Sequence, residues 1–240
     1  MKKLTLILLL LITLLGGILR FWRLESSPSG ALIDELHFGY LAYSLIETGA
    51  DEHGQSWPLI FEGFGDRKLP AMAYLDIPSV AIWGLSLLAI RVPSALAGTA
   101  LILAMFWLTL ELTQRKKWAL LAAFITAISP WSFFLSRFGF ESNIALLAFV
   151  VALAALLKAH TTQKTLFYIL SGASFAATWY SYVAYRPITL VLLATYAAYF
   201  LYTKRSKKTL KSVALLLGAF ALFVVPLFSP AAISVNSTRL

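Results

Sequence analysis

LPAMAYLDIPSVAIWGLSLLAI, residues 69–90, is long and apolar enough to cross a membrane, yet it holds Pro70, Asp76 and Pro78. A span needs about 20 mostly apolar residues. A carboxylate at its centre costs about 2.5–3.5 kcal/mol on insertion scales. The reading of this one segment sets the side of every later loop. If it does not span, 12 Lys and Arg fall on the cytoplasmic side and 8 on the other. If it spans, the split becomes 6 and 14. Basic loops favour the cytoplasm. Residues 69–90 are therefore expected to form a juxtamembrane or re-entrant element on the outer face.

The rest of the chain agrees with a membrane protein. It is 60% hydrophobic and 13% charged over 240 residues, against roughly 25% charged in soluble domains. That excludes a soluble enzyme, a disordered tail and a fibrous repeat. With no Cys, disulfides, thiolate metal sites and cysteine nucleophiles are excluded too. A net charge of +9 reads as basic cytoplasmic loops rather than as a nucleic-acid surface. Spans are expected at 4–19, 92–110, 118–136, 142–157, 165–185, 187–203 and 212–228. The first follows Lys2-Lys3 and precedes Arg20-Phe21-Trp22-Arg23, with no small-residue cleavage site, so it reads as an uncleaved span. The fold class is thus all-α: a polytopic bundle of about seven spans, forming a single transmembrane domain over 1–240. Its N-terminus is expected in the cytoplasm. The first outer loop, 23–90, would hold juxtamembrane helices and the re-entrant element. Asn236-Ser237-Thr238 spells a glycosylation acceptor, to which almost no weight attaches.

This topology sorts the charges by type. Lys gathers inside; most Arg and ten of the eleven acidic residues gather outside. Orientation does not require the second set. Arg suits phosphate, because its planar fork bonds two oxygens at once. Arg67, Lys68, Arg91, Arg137 and Arg186 are the candidate phosphate contacts, with Tyr182 beside them. Residues 34–47 suit a short amphipathic surface helix with Leu36, Tyr40, Tyr43 and Leu45 on its apolar face, filled in by Ala42 and Ile46. Asp34 and Glu35 in its first turn serve equally well as helix caps or as a carboxylate pair for proton transfer. Residues 49–68 read as a loop, in which Asp51-Glu52-His53 suits a solvated turn better than a metal site. Arg137 and Glu141 stand at i and i+4, the spacing of a local ion pair.

Read in order, these motifs resemble a known family. A first span is followed by Asp34-Glu35, then Thr48-Gly49-Ala50-Asp51-Glu52-His53-Gly54. Phe64-Gly65-Asp66-Arg67-Lys68-Leu69-Pro70 and Tyr74 come next, then Arg91-Val92-Pro93-Ser94-Ala95-Leu96-Ala97-Gly98. Ser129-Pro130-Trp131, Ser136-Arg137, Tyr182 and Arg186-Pro187 complete the series. The order is similar to the N-terminal half of GT-C membrane glycosyltransferases, nearest to bacterial relatives of protein O-mannosyltransferases and lipid A aminoarabinose transferases. The resemblance covers residues 1 to about 200. It implies transfer of a monosaccharide, with inversion, from a polyprenyl-phosphate donor to an acceptor hydroxyl on a glycan, lipid or protein at the outer face. It implies Asp34 as the general base with Glu35 as its neighbour, and Lys68 as a contact to the lipid phosphate. It implies Arg91 at the opening of the second span and Glu141 as a second acidic residue. No cofactor is implied, and a divalent metal is not indicated. Family members have eleven or more spans, so the chain is expected to be an incomplete GT-C module. The alternative is a non-catalytic membrane protein, such as a lipid-binding subunit or a small transporter. Ionisable residues at the boundary rather than at mid-membrane favour the enzyme.

Overall fold

The computed structural model describes residues 3–63, 65–203 and 206–229. Lys2, Phe64, Lys204, Arg205, Arg239 and the Asn236-Ser237-Thr238 triplet lie outside the described residues. The chain runs through α1 (Lys3–Phe21), α2 (Ile33–Thr48), a hairpin of β1 (Phe61–Gly63) and β2 (Asp66–Lys68), α3 (Pro70–Trp83) and α4 (Leu87–Thr113). Next come α5 (Lys116–Ile128), α6 (Pro130–Leu135), α7 (Glu141–Thr162), α8 (Thr165–Ser181), α9 (Tyr185–Thr203) and α10 (Lys207–Val224). A 3₁₀ turn, Val225–Phe228, follows α10. Among the described residues the architecture is all-α apart from the antiparallel hairpin, which pairs Phe61 with Lys68 and Glu62 with Arg67.

Among the described residues, four helices, against the seven spans expected, are by themselves long and apolar enough to cross a membrane: α1, α4, α7 and α10 with its 3₁₀ extension. The expected span 118–136 is broken at Ser129. Pro130 lacks an N–H and drives the preceding residue out of the helical region, and Ser129 sits at φ −57°, ψ 120°. That leaves α5 with 13 residues and α6 with 6. Helix α8 stops at 17 residues. Helix α9 is long enough, but it carries Tyr185, Arg186, Tyr196, Tyr199 and Tyr202. The element at 69–90 also divides. Its first part is α3, a 14-residue helix begun by Pro70 at its N-terminus and carrying Pro78 inside. Its last part belongs to α4, which opens at Leu87 with Ser86 accepting from the Ala89 N–H. Arg91 therefore lies one turn inside α4 rather than at its start.

Among the described residues, the three largest apolar clusters carry much of the packing. One joins α7, α8 and α10 around Tyr168, Phe175, Trp179, Leu216 and Phe220. A second joins α1, α4 and α5 through Leu9, Ile102, Phe106 and Ala123. The third ties α2 to α3 and β1 through Phe38, Leu41, Leu45, Phe61 and Met72. Small residues set the close approaches: a Cβ on Gly172 of α8 would lie 2.5 Å from the Leu216 carbonyl of α10. Bilayer helices favour such contacts because packing, rather than water exclusion, drives their association.

Helix α2 is apolar on two sides. Phe38, Leu41, Ala42 and Leu45 are buried, whereas Leu36, Tyr40, Tyr43 and Ile46 are exposed. Of the apolar stripe expected on a membrane-surface helix, Leu36, Tyr40, Tyr43 and Ile46 are exposed, whereas Ala42 and Leu45 turn into the protein. A helix wedged between a protein core and a membrane surface needs both faces.

Candidate active site

The first turn of α2 sends its two carboxylates in opposite directions. Glu35 is fully buried and accepts four hydrogen bonds. Its Oε1 accepts from the Leu32 N–H at 3.0 Å and from Arg91 Nη2 at 2.8 Å. Its Oε2 accepts from Arg91 Nε at 3.2 Å and from the Gly139 N–H at 3.0 Å. Burial alone pushes this carboxyl up. The Arg91 bonds, the two backbone N–H groups and the Arg91 charge outweigh it and hold the group below its ordinary value. Arg91 is also fully buried. Its remaining N–H groups go to the carbonyls of Leu24, Pro28 and Gly30. Neither side chain has bonding capacity left for a substrate. Together they tie α2 to α4, to the segment after α1 and to the start of α7.

Asp34, one residue earlier, faces outward with its side chain 52% exposed. It pairs with Lys68 of β2, 34 residues away in sequence. The Lys68 ammonium also lies 5.8 Å from the centre of the Phe38 ring. The hairpin achieves this junction. Register pairs Lys68 with Phe61, and Phe61 is anchored in the cluster shared with α2 and α3. Arg67, next to Lys68, is exposed and stands opposite Glu62.

The stretch expected as a plain loop is organised. Asp51 is buried and accepts from the His53 N–H at 2.9 Å and the Gln55 N–H at 2.8 Å, so its carboxylate is spent on its own turn. Glu52 bonds Nε2 of His37 at 3.0 Å and lies 3.7 Å from Nε2 of His53. His37 is buried on α2, one turn after Asp34, and the spacing of apolar residues gave no reason to single it out. Only glycine fits beside it at position 63, since a Cβ there would overlap the imidazole. Tyr74 of α3 donates to the Pro58 carbonyl at 2.8 Å. Burial, with Asp51 nearby, pushes its hydroxyl up to about 12.

The other sequence candidates are placed elsewhere. Arg137 is buried, and its Nη atoms bond the carbonyls of Leu19, Arg20, Trp22, Arg23 and Ser27. It closes the C-terminal end of α1. Burial, and then the charge of Arg91, lower its pKa. Glu141 begins α7. Tyr182 caps α8, and Arg186 of α9 lies 5.6 Å from the Trp179 ring. These last two belong to the α8–α9 junction, and no contact among the described residues brings them to Asp34. Arg20, not singled out beforehand, is a third clamp. It is fully buried and donates to the carbonyls of Gly16, Thr126 and Ala127 and to the Ser132 hydroxyl. Carbonyls at helix ends carry partial negative charge, so Arg20 at the end of α5 and Arg137 at the end of α1 act as staples, while Arg91 gathers carbonyls of the segment between α1 and α2. One buried acid was also passed over. Asp76 of α3 is fully inaccessible, and neither oxygen has a hydrogen-bond partner among the described residues. Burial, and then the charge of Glu35, push it well above its ordinary value.

A family model described as dolichyl-phosphate-mannose-protein mannosyltransferase matches residues 10–234. Among solved structures, an oligosaccharyltransferase from Archaeoglobus fulgidus, in its apo form, matches with TM-score 0.73 and 17% identity. That match covers 94% of this chain and 29% of the archaeal one, so the present chain spans under a third of that relative. No curated protein sequence matches it. The resemblance read from the motifs, to GT-C membrane glycosyltransferases, is borne out by the family and by the fold.

Proposed function

The chain belongs to the dolichyl-phosphate-mannose-protein mannosyltransferase family, and from that premise we propose that it transfers a sugar from a polyprenyl-phosphate donor to an acceptor hydroxyl, with Asp34 as base. One observation carries the reading: an exposed carboxylate and a lysine, far apart in sequence, meet at the surface while the neighbouring carboxylate is sealed inside. Glu35 and Arg91 then hold the first turn of α2 in place. Asp34 and Lys68 are left as the pair that meets substrate.

The chemistry follows from those two groups. A polyprenyl phosphate leaves as a stable anion and needs cations more than acid assistance. Lys68 supplies a point charge, and exposed Arg67 lies beside it. The acceptor hydroxyl needs a base, which a carboxylate within hydrogen-bond reach provides. As the acceptor oxygen attacks the anomeric carbon, its proton passes to Asp34. The bond from that carbon to the phosphate oxygen breaks, and its electron pair leaves with the phosphate beside Lys68. Attack from the face opposite the leaving group inverts the configuration. Before the donor arrives, Asp34 and Lys68 neutralise each other. The donor phosphate competes for Lys68 and frees Asp34 for its proton.

The outer face is the side this reading assigns to Asp34, because the Lys-rich loops lie at the other end of the helices. The N-terminus is then cytoplasmic and the protein resides in the cell membrane. Asp34→Asn tests the chemistry. Transfer of labelled mannose from polyprenyl phosphate in isolated membranes should fall by at least about 100-fold, the low end for a general base. Donor binding should stay near that of the parent. Transfer at the parent rate would remove Asp34 from the chemistry.

A further inference from the structure

The end of the bundle away from Asp34 holds a polar cavity of about 240 Å³. It lies where α7 ends, α8 begins and α10 starts, lined by His160, Tyr168, Tyr196, Lys208, Thr209 and Ser212 among others. Glu141 and His160 stand at opposite ends of α7. At roughly 1.5 Å per residue, about 28 Å separates them, close to the hydrocarbon thickness of a bilayer. The cavity therefore lies at the opposite membrane boundary from the Asp34–Lys68 pair and takes no part in the proposed transfer.

Three observations describe what it would bind. First, Tyr168 is 2% exposed, and its hydroxyl lacks a hydrogen-bond partner among the described residues. A buried hydroxyl left unpaired is costly, and this one belongs to the cavity lining. Its neighbour Tyr196 is already engaged with Nε2 of His160 at 2.8 Å. Second, the N-terminus of the 18-residue α10 opens there. The Ser206 hydroxyl takes the Thr209 N–H, and its carbonyl takes that of Leu210. The N–H groups of Lys207 and Lys208 have no intrahelical acceptor, as in any first turn. Third, the charge here is of one sign. Lys164, Lys207, Lys208 and Lys211 lie at this end, and the acid on α4, Glu111, is already paired with Lys158 at 3.0 Å.

We propose that this cavity is a phosphate site, in which the Tyr168 hydroxyl, the Lys208 ammonium and the first turn of α10 receive the phosphate of an anionic lipid headgroup. A helix N-terminus favours anions through its free N–H groups and its dipole. The volume lies below the roughly 300–1,000 Å³ of sites that engulf a whole ligand. It suits a headgroup whose chains remain in the bilayer. A free phosphate ion offers the same chemistry, and the test separates the two sources.

The full chain in uncharged detergent is titrated with dihexanoyl phosphatidylglycerol, with inorganic phosphate or with dihexanoylglycerol, which lacks a phosphate. Melting temperature is the readout. Phosphatidylglycerol should raise it saturably. Lys208→Gln should move the half-maximal concentration up by at least about tenfold, as loss of a charge-assisted bond does. Tyr168→Phe, which removes one oxygen and keeps the ring in its cluster, should move it in the same direction. Inorganic phosphate acting alone with the same dependence on both variants would identify a free anion as the ligand of the same site. Equal potency of dihexanoylglycerol, or a phosphatidylglycerol response unchanged in both variants, would overturn the proposal.

Discussion

Replacing Glu35 by Gln isolates the buried clamp from the surface pair beside it. Gln keeps the shape and one acceptor oxygen. Its NH₂ group must face two of the four donors that now bond the carboxylate, either Arg91 Nε and the Gly139 N–H or Arg91 Nη2 and the Leu32 N–H. The Arg91 charge, at 0% exposure, loses its counter-ion. Removing one partner of such a buried pair costs about 3–5 kcal/mol. For a chain of this size, about 2–4 °C is lost per kcal/mol. The melting temperature in detergent, followed by tryptophan fluorescence, should drop by about 6–20 °C. Asp34→Asn is the control, since an exposed pair contributes about 0–1 kcal/mol. The pH dependence adds a second signature. Glu35 titrates lower folded than unfolded. Its contribution is therefore present above the unfolded pKa and lost as pH falls through the folded one. The gap between parent and Glu35→Gln should close on acidification. If Glu35→Gln melted within about 2 °C of the parent at neutral pH, the clamp would not be the element that holds α2.

Asp76→Asn should act in the opposite sense. A carboxyl raised in the folded state contributes most below its unfolded pKa and progressively less as pH rises. The variant should match the parent near pH 4 or below, about where free Asp titrates, and melt higher at pH 8; a lower melting point at pH 8 would mean that the ionised carboxylate has a partner. Gly63→Ala places a methyl against the His37 ring, and overpacking of this kind costs about 1–3 kcal/mol. Its melting point should fall measurably, while an unchanged one would show that the hairpin shifts freely over α2. Because the chain has no Cys, Ser56→Cys and Ser206→Cys report topology with an impermeant maleimide on intact cells. Labelling at Ser56→Cys alone is expected, and labelling at Ser206→Cys alone would reverse the orientation.

The amino-acid sequence by itself determined the class of molecule. Burial of apolar helices in lipid requires long uncharged runs, and those survive as α1, α4, α7 and α10. Composition is enough to read them because the bilayer, rather than a partner segment, satisfies each apolar face. The order of short motifs pointed to the family. What only the tertiary structure decided is which charges are free. Asp34 and Glu35 are adjacent and chemically alike, but a helix turns about 100° per residue. That rotation sends one to the surface and the other into a site made by Leu32, Arg91 and Gly139. Arg91 and Arg137 read as phosphate ligands because arginine on one side of a membrane suits phosphate. Their actual acceptors are the Glu35 carboxylate, for Arg91, and backbone carbonyls 61–67 and 110–118 residues away. Carbonyls occur at every residue and leave no mark in a sequence. The arginine staples become visible only once the fold brings the open ends of helices and turns to them.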